Sequence, residues 1–280
     1  MTAVALALLT AVVWGFANYL GPLLSRRHPL GAVLVAGQVV GVLGALAFYA
    51  VDGTGAPGTR ALLFGVGAGV FNALALVTFF SAARVGPISV VAPVGATGGV
   101  VPVLVAIALG ERPSTWQLVG IPLAVVGVAL AAARGAPPQD APVEKRAGLL
   151  LSLSAALTFG TFLTLFAEAS QDGPATAVLT SRIALLIATV GALALLRQRM
   201  TVPLRDLPLV SAPGLLLVVG TVSYGVAATT GLVSVVSVLA TLNPVITVGL
   251  AVLVLGERLN RRQQVGVATA LAGVVLLAAG

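Results

Sequence analysis

LGERPSTWQLVGIPLAVVGVAL, residues 109–130, and LGERLNRRQQVGVATALAGVVL, residues 255–276, lie 146 residues apart and are identical at eleven of 22 aligned positions. The identities include Gly110/Gly256, Glu111/Glu257, Arg112/Arg258, Gln117/Gln263, Gly120/Gly266 and Gly127/Gly273. Shared apolar composition alone would give fewer. The chain reads as a tandem duplication, and an internal repeat constrains every later step of the reading.

Composition says where the duplicated unit lives. With 59% hydrophobic residues, 8% charged and a mean hydropathy of +1.11, the chain has too little polar surface to face water and must dissolve in lipid. The net charge of +7 does not point to nucleic acid, because the fifteen Lys and Arg lie almost entirely between apolar runs and form no dense patch. The absence of Cys excludes disulfides and thiolate-bound metals, and a single His leaves no ligand cluster. No cofactor is expected.

A helix needs about 20 apolar residues to cross a roughly 30 Å hydrocarbon layer. Such runs occur ten times, near 2–24, 30–51, 60–83, 86–108, 114–133, 147–170, 174–197, 207–229, 231–255 and 262–279. None alternates apolar and polar residues as barrel strands do. The expected fold is an all-α integral membrane protein of ten transmembrane helices. Residues 1–134 form the first five-helix repeat, 135–146 a Pro-rich, charged linker, and 147–280 the second repeat.

Five spans per half is an odd number, so the second copy enters the bilayer from the opposite side and the repeats are inverted. Loop charges set the orientation. Arg26, Arg27, Arg84, Arg134, Lys145, Arg146, Arg197, Arg199, Arg205, Arg258, Arg261 and Arg262 fall on one side, against Arg60 and Arg112 on the other. That imbalance places the first group in the cytoplasm and both termini outside, in the cytoplasmic (inner) membrane. A cleaved signal peptide competes for residues 1–24, but the apolar run is long for a signal core and no positive segment precedes it.

Ten spans, the five-plus-five duplication, Trp14-Gly15 and Phe159-Gly160 in the first span of each half, and the twin GER segments resemble the EamA-type transporters of the drug/metabolite transporter superfamily. The resemblance covers the whole chain. It implies a carrier, with members exporting amino acids, drugs and varied metabolites on much the same sequence. Two departures stand out: Gln38 occupies the first-half place of Arg182, and Gly98 the place of Pro244, the Pro thirteen residues before the motif Glu.

The GER segments have a structural role that needs no chemistry. Ser114 with Gln117, and Asn260 with Gln263, form capping boxes opening spans 5 and 10. Glu111 and Glu257 are expected beside the positive end of the same helices, with a gating salt bridge as the competing role. Gly120-x3-Ala124-x2-Gly127 and Gly266-x3-Ala270-x2-Gly273 put small residues on one face for close helix approach.

The sharper functional signal is in spans 4 and 9. Pro93, Gly95, Gly98, Gly99 and Pro102 interrupt the first, and Asn243-Pro244 the second, with Thr97 and Asn243 146 residues apart near mid-span. Pro and Gly free backbone groups that lipid does not tolerate unless they are buried or line a cavity. Matching interruptions in inverted repeats point to a transport site, with a plain packing kink as the alternative. Trp14, Asn18, Asn72, Thr161 and Tyr224 are the other polar groups deep enough to meet a solute. Spans 1, 3, 4, 6, 8 and 9, which carry this set, line the central cavity in the proteins that the chain resembles. Arg182, eight residues after Pro174, needs a partner in the membrane, and Glu168 is the candidate. If Arg182 instead reached the cavity, it would favour a carboxylate-bearing solute.

Span 1 carries no Asp or Glu and no carboxylate lies at mid-membrane, so proton exchange for a cationic drug has no candidate residue. A P-loop, an HExxH and a Ser-His-Asp set are also missing from the sequence, and the chain does not read as an enzyme. The expected function is secondary export of small polar metabolites such as amino acids, with a lipid-linked substrate flippase or a drug efflux carrier as the alternative. Because the duplication supplies both walls, a monomer is expected.

Overall fold

The computed structural model describes residues 2–25, 27–53, 55–85, 94–95, 97–132, 145–255 and 259–280. It is all-helical, with no strand among the described residues. In chain order the helices are α1 (Thr2–Ser25), α2 (Leu30–Asp52), α3 (Thr59–Val85), α4 (Val100–Ala108, entered through a 3-10 turn, Thr97–Gly99), α5 (Thr115–Ala132) and α6 (Lys145–Ser170). They continue as α7 (Pro174–Leu195), α8 (Leu207–Thr230), α9 (Val233–Ala240), α10 (Asn243–Leu255) and α11 (Arg261–Ala279).

Eight stretches are long and apolar enough to cross a membrane, one of them the combined α9–α10 run. Thr97–Ala108 and Thr115–Ala131 are apolar but shorter. Residues 86–93, the start of expected span 4, and most of the 135–146 linker lie outside the described residues. Span 9 differs from a single rod. It stops at Ala240 and restarts at Asn243, because Pro244 has no N–H to continue the ladder and suits the first turn of a new helix.

Packing exchanges the halves. Helix α1 lies along α8 while its counterpart α6 lies along α3; α2 meets α7; and α5 meets α11. The chain breaks sit on the same plan, with α1 against α9 and α10, and α6 against the Thr97–Gly99 turn and α4. The core holds Trp14, Phe162, Phe166, Leu163 and Tyr224 with small residues such as Ala7, Ala11 and Ala177. Leu43, Leu63, Leu150, Ile187 and Leu253 are mostly exposed on the outside of the bundle, as acyl chains rather than water require.

The α5–α11 pair shows why its sequence is written in small residues. A Cβ on Gly273 would stand 2.5 Å from the Ala124 backbone nitrogen, and one on Gly120 would stand 3.0 Å from the Gly273 carbonyl. Gly127 abuts Ala270, and Gly266 abuts Leu130 and Ala131, at still closer range. The backbones touch directly. Both capping boxes form. Ser114 N donates to Gln117 Oε1 at 2.9 Å and Gln117 N donates to Ser114 Oγ at 3.3 Å; Asn260 N donates to Gln263 Oε1 at 3.1 Å and Gln263 N to Asn260 Oδ1 at 2.9 Å.

Candidate functional site

The break between α9 and α10 carries a polar junction with α1. Asn18 Nδ2 donates to Asn243 Oδ1 at 3.0 Å, joining residues 225 positions apart. One turn on, the Thr247 hydroxyl donates to Gly15 O and to Asn243 O, both at 3.0 Å. Gly15 has to be glycine here, since a Cβ would lie 2.6 Å from Ile246 Cβ and 2.9 Å from Asn243 O. Asn243 is buried at 8% exposure, whereas Asn18 is exposed on its other side. An amide pair with one member open and the other enclosed can trade its internal bond for one to a solute at little net cost.

Among the described residues, the first half answers this junction with glycines. Gly160, the counterpart of Gly15, packs against the Gly98 carbonyl, and a Cβ on Gly98 would lie 2.7 Å from Ala156 O. The offset from Gly15 to Gly160 and from Gly98 to Asn243 is 145, one less than between the GER segments. Thr97 is therefore not the counterpart of Asn243; Gly98 is. The slip arises because the stretch from Gly98 to Glu111 is one residue shorter than that from Asn243 to Glu257. Thr97 is half-buried, and its hydroxyl donates to Val94 O at 2.7 Å within its own turn.

Trp14 and Tyr224 belong to the core, not to an open wall. Trp14 is 5% exposed and its ring stacks on Tyr224 at 6.2 Å, with Nε1 donating to Leu217 O at 3.3 Å. Tyr224 is fully buried; its hydroxyl lies 2.7 Å from Ser237 Oγ and 3.2 Å from Leu163 O. Each polar tip is already spent inside the protein, as large buried aromatics require. Tyr224→Phe is accordingly expected to lower the melting temperature by the equivalent of about 1 kcal/mol and to leave solute affinity unchanged, a result that thermal melting beside a transport assay would check. Asn72 is half-buried on α3, and the Thr161 hydroxyl donates to Leu157 O at 2.8 Å in its own helix. These two are not brought to the Asn18–Asn243 junction by any described contact.

The expected Glu168–Arg182 pair does not form. Glu168 is bound to Arg60, which the first turn of α3 brings to the end of α6. Arg182, 4% exposed, donates instead to Leu217 O at 2.6 Å and to the Thr221 hydroxyl on α8. The short turn at 171–173 places Glu168 at the end of α6, while Arg182 faces α8 more than two turns into α7. Leu217 O thus accepts from Trp14, Arg182 and Thr221 together, one buried carbonyl tying α1, α7 and α8. Across the α2–α7 contact sits Gln38, whose buried Oε1 has no hydrogen-bond partner among the described residues.

The GER segment does something the sequence reading missed. Gly110 at φ 104 ends α4, with Glu111 N donating to Ala106 O at 2.9 Å in a left-handed helix stop that suits glycine. That turn sends the Glu111 carboxylate to the other half. It accepts from Val233 N at 2.6 Å, Ser234 N at 3.1 Å and Ser234 Oγ at 2.6 Å. Glu111 therefore caps α9, not α5 as its sequence position suggests, because the α5 donors are already served by Ser114. Glu257 lies outside the described residues. The clue was available in GLVSVV at 231–236, which opens α9 without an acceptor of its own before Ser234.

A cleft of about 180 Å³ borders this cap, lined by Pro102, Val105, Ala106, Leu109, Glu111, Thr164, Ala167, Glu168, Gln171 and Val233. No group of His, Cys, Asp and Glu able to hold a metal occurs among the described residues.

Comparisons with known proteins bear on the fold and the family. The EamA-like transporter family matches over residues 1–133 and again over 146–279. One solved crystal structure aligns at a TM-score of 0.80 with 18% identity, covering 98% of this chain and 95% of that one, a likeness of fold alone. No curated protein sequence matches. With a two-part family match spanning nearly its whole length and an all-helical, apolar bundle to go with it, the chain belongs to the EamA-like transporter family and is a multi-pass membrane protein of drug/metabolite transporter type.

Proposed function

We propose that the chain exports small polar metabolites, amino acids or related compounds, from the cytoplasm by alternating access of two inverted five-helix repeats, residues 1–134 and 147–280. The observation that carries this reading is the Asn18–Asn243 amide pair at the interruption between α9 and α10. It is a hydrogen-bonding group with one open side, set at a helix break and held between an element of each half. Amides both donate and accept, which suits zwitterionic and neutral polar solutes better than cations. Export profiling tests the assignment: cells overproducing the protein, challenged with amino acids and toxic analogues, should lose specific intracellular pools, and Asn243→Ala should abolish that loss.

The orientation that goes with it has both termini outside. A reporter active only in the periplasm, fused after Gly280, is expected to be active, and the same reporter within 135–144 silent. The reverse pattern would overturn the orientation and leave the repeat standing. Both walls of the pathway lie in one chain, so the functional unit is a monomer. Mixing active and site-dead chains should reduce transport in proportion to the dead fraction, and steep dominance by dead chains would contradict that.

A further inference from the structure

Glu111 takes no part in the amide junction, yet its carboxylate reaches from the end of α4 in the first half to the start of α9 in the second. We propose that Glu111 is a latch that closes the pathway on its own side of the membrane, and that its release accompanies opening there. The proposal rests on the alternating-access reading above.

Three observations carry it. The carboxylate takes three donors from a helix N-terminus, where backbone N–H groups and the helix dipole both favour a negative charge. Beneath the latch the two chain interruptions are in contact, a Cβ on Gly99 standing 3.3 Å from Thr241 Cβ, so α4 and α9 form a closed seam from Glu111 inward. Finally, the latch joins a carboxylate to neutral donors. Glu168, which lines the same cleft, is held by Arg60, and Arg112 beside Glu111 is exposed. Breaking the latch therefore strands no buried cation, and water entering the bordering cleft can serve both sides of the broken contact.

The chain has no Cys, so Thr241→Cys gives a single thiol at a site 4% exposed behind the latch. Its reaction with a membrane-impermeant maleimide can be followed from each face in spheroplasts and in inverted vesicles. Glu111→Ala is expected to raise the labelling rate from the outer face about tenfold, and Ser234→Ala, which removes one of the three bonds, by a smaller factor. Parent-like rates from both faces in both variants, whatever the change in melting temperature, would reduce Glu111 to a static cap and overturn the proposal. A rise confined to the cytoplasmic face would support the latch and overturn the assigned orientation. If Glu111→Ala does not fold, Ser234→Ala decides. Faster labelling in a protein whose overproduction depletes no solute pool would uphold the latch and refute the transport reading instead.

Discussion

Gly127→Leu and Gly273→Leu are expected to abolish recovery of folded protein. Each glycine lies where the α5 and α11 backbones touch, Gly127 on Ala270 and Gly273 on Ala124, and the colliding atoms include backbone nitrogens that cannot rotate away. Overpacking a core costs about 1 to 3 kcal/mol where side chains can yield. Here the helix pair itself must part, and folded proteins hold only about 5 to 15 kcal/mol in reserve. Detergent-solubilised yield and monodispersity check this: both should fall to background for either variant, and Gly191→Leu, at a glycine with open space around it, should behave like the parent. Equal recovery of Gly127→Leu and Gly191→Leu would show that the contact is dispensable.

Asn243→Ala is expected to abolish transport while the protein inserts and melts much as the parent does. Removing Asn243 strands the Asn18 amide and takes away the enclosed half of the junction, a loss of about 1 to 3 kcal/mol and so roughly ten- to hundredfold in apparent affinity. Asn18→Ala should act comparably, because the two share one bond. The double variant should then be no worse than either single one, the signature of residues acting as a unit. Thr97→Val should matter less than its place in the sequence suggests, since its hydroxyl bonds only within its own turn. Solute uptake or efflux in vesicles, read beside thermal melting, separates these effects.

The eight long apolar spans were legible from the sequence because hydropathy over some 20 residues is a strong signal, and the α5–α11 contact because small residues recur on one face. The capping boxes were legible for a similar reason: their partners lie three residues apart. What could not be read were contacts across hundreds of positions. Trp14 and Tyr224 have the polar tips of binding residues, and only tertiary packing shows those tips satisfied by Leu217, Ser237 and Leu163. Glu168 is near Arg182 in sequence but is drawn off by Arg60, which arrives from another helix. Glu111 looked like a local charge at the start of α5, and its hydrogen-bond partners turned out to be donors 122 and 123 residues away. The pairing of Thr97 with Asn243 was off by one, because the GER segments set an offset of 146 while the stretch from Gly98 to Glu111 is one residue shorter than that from Asn243 to Glu257.

The central claim, that solute passes between the halves as the α4–α9 seam opens and closes, is tested most directly by stapling that seam. Gly99→Cys with Thr241→Cys places two Cβ atoms about 3.3 Å apart in a chain with no other thiol, close to the separation that a disulfide spans. The account predicts that oxidation of the double variant stops export, that a reductant restores it, and that Thr241→Cys alone transports under both conditions. Full export from protein shown to be completely cross-linked would contradict it.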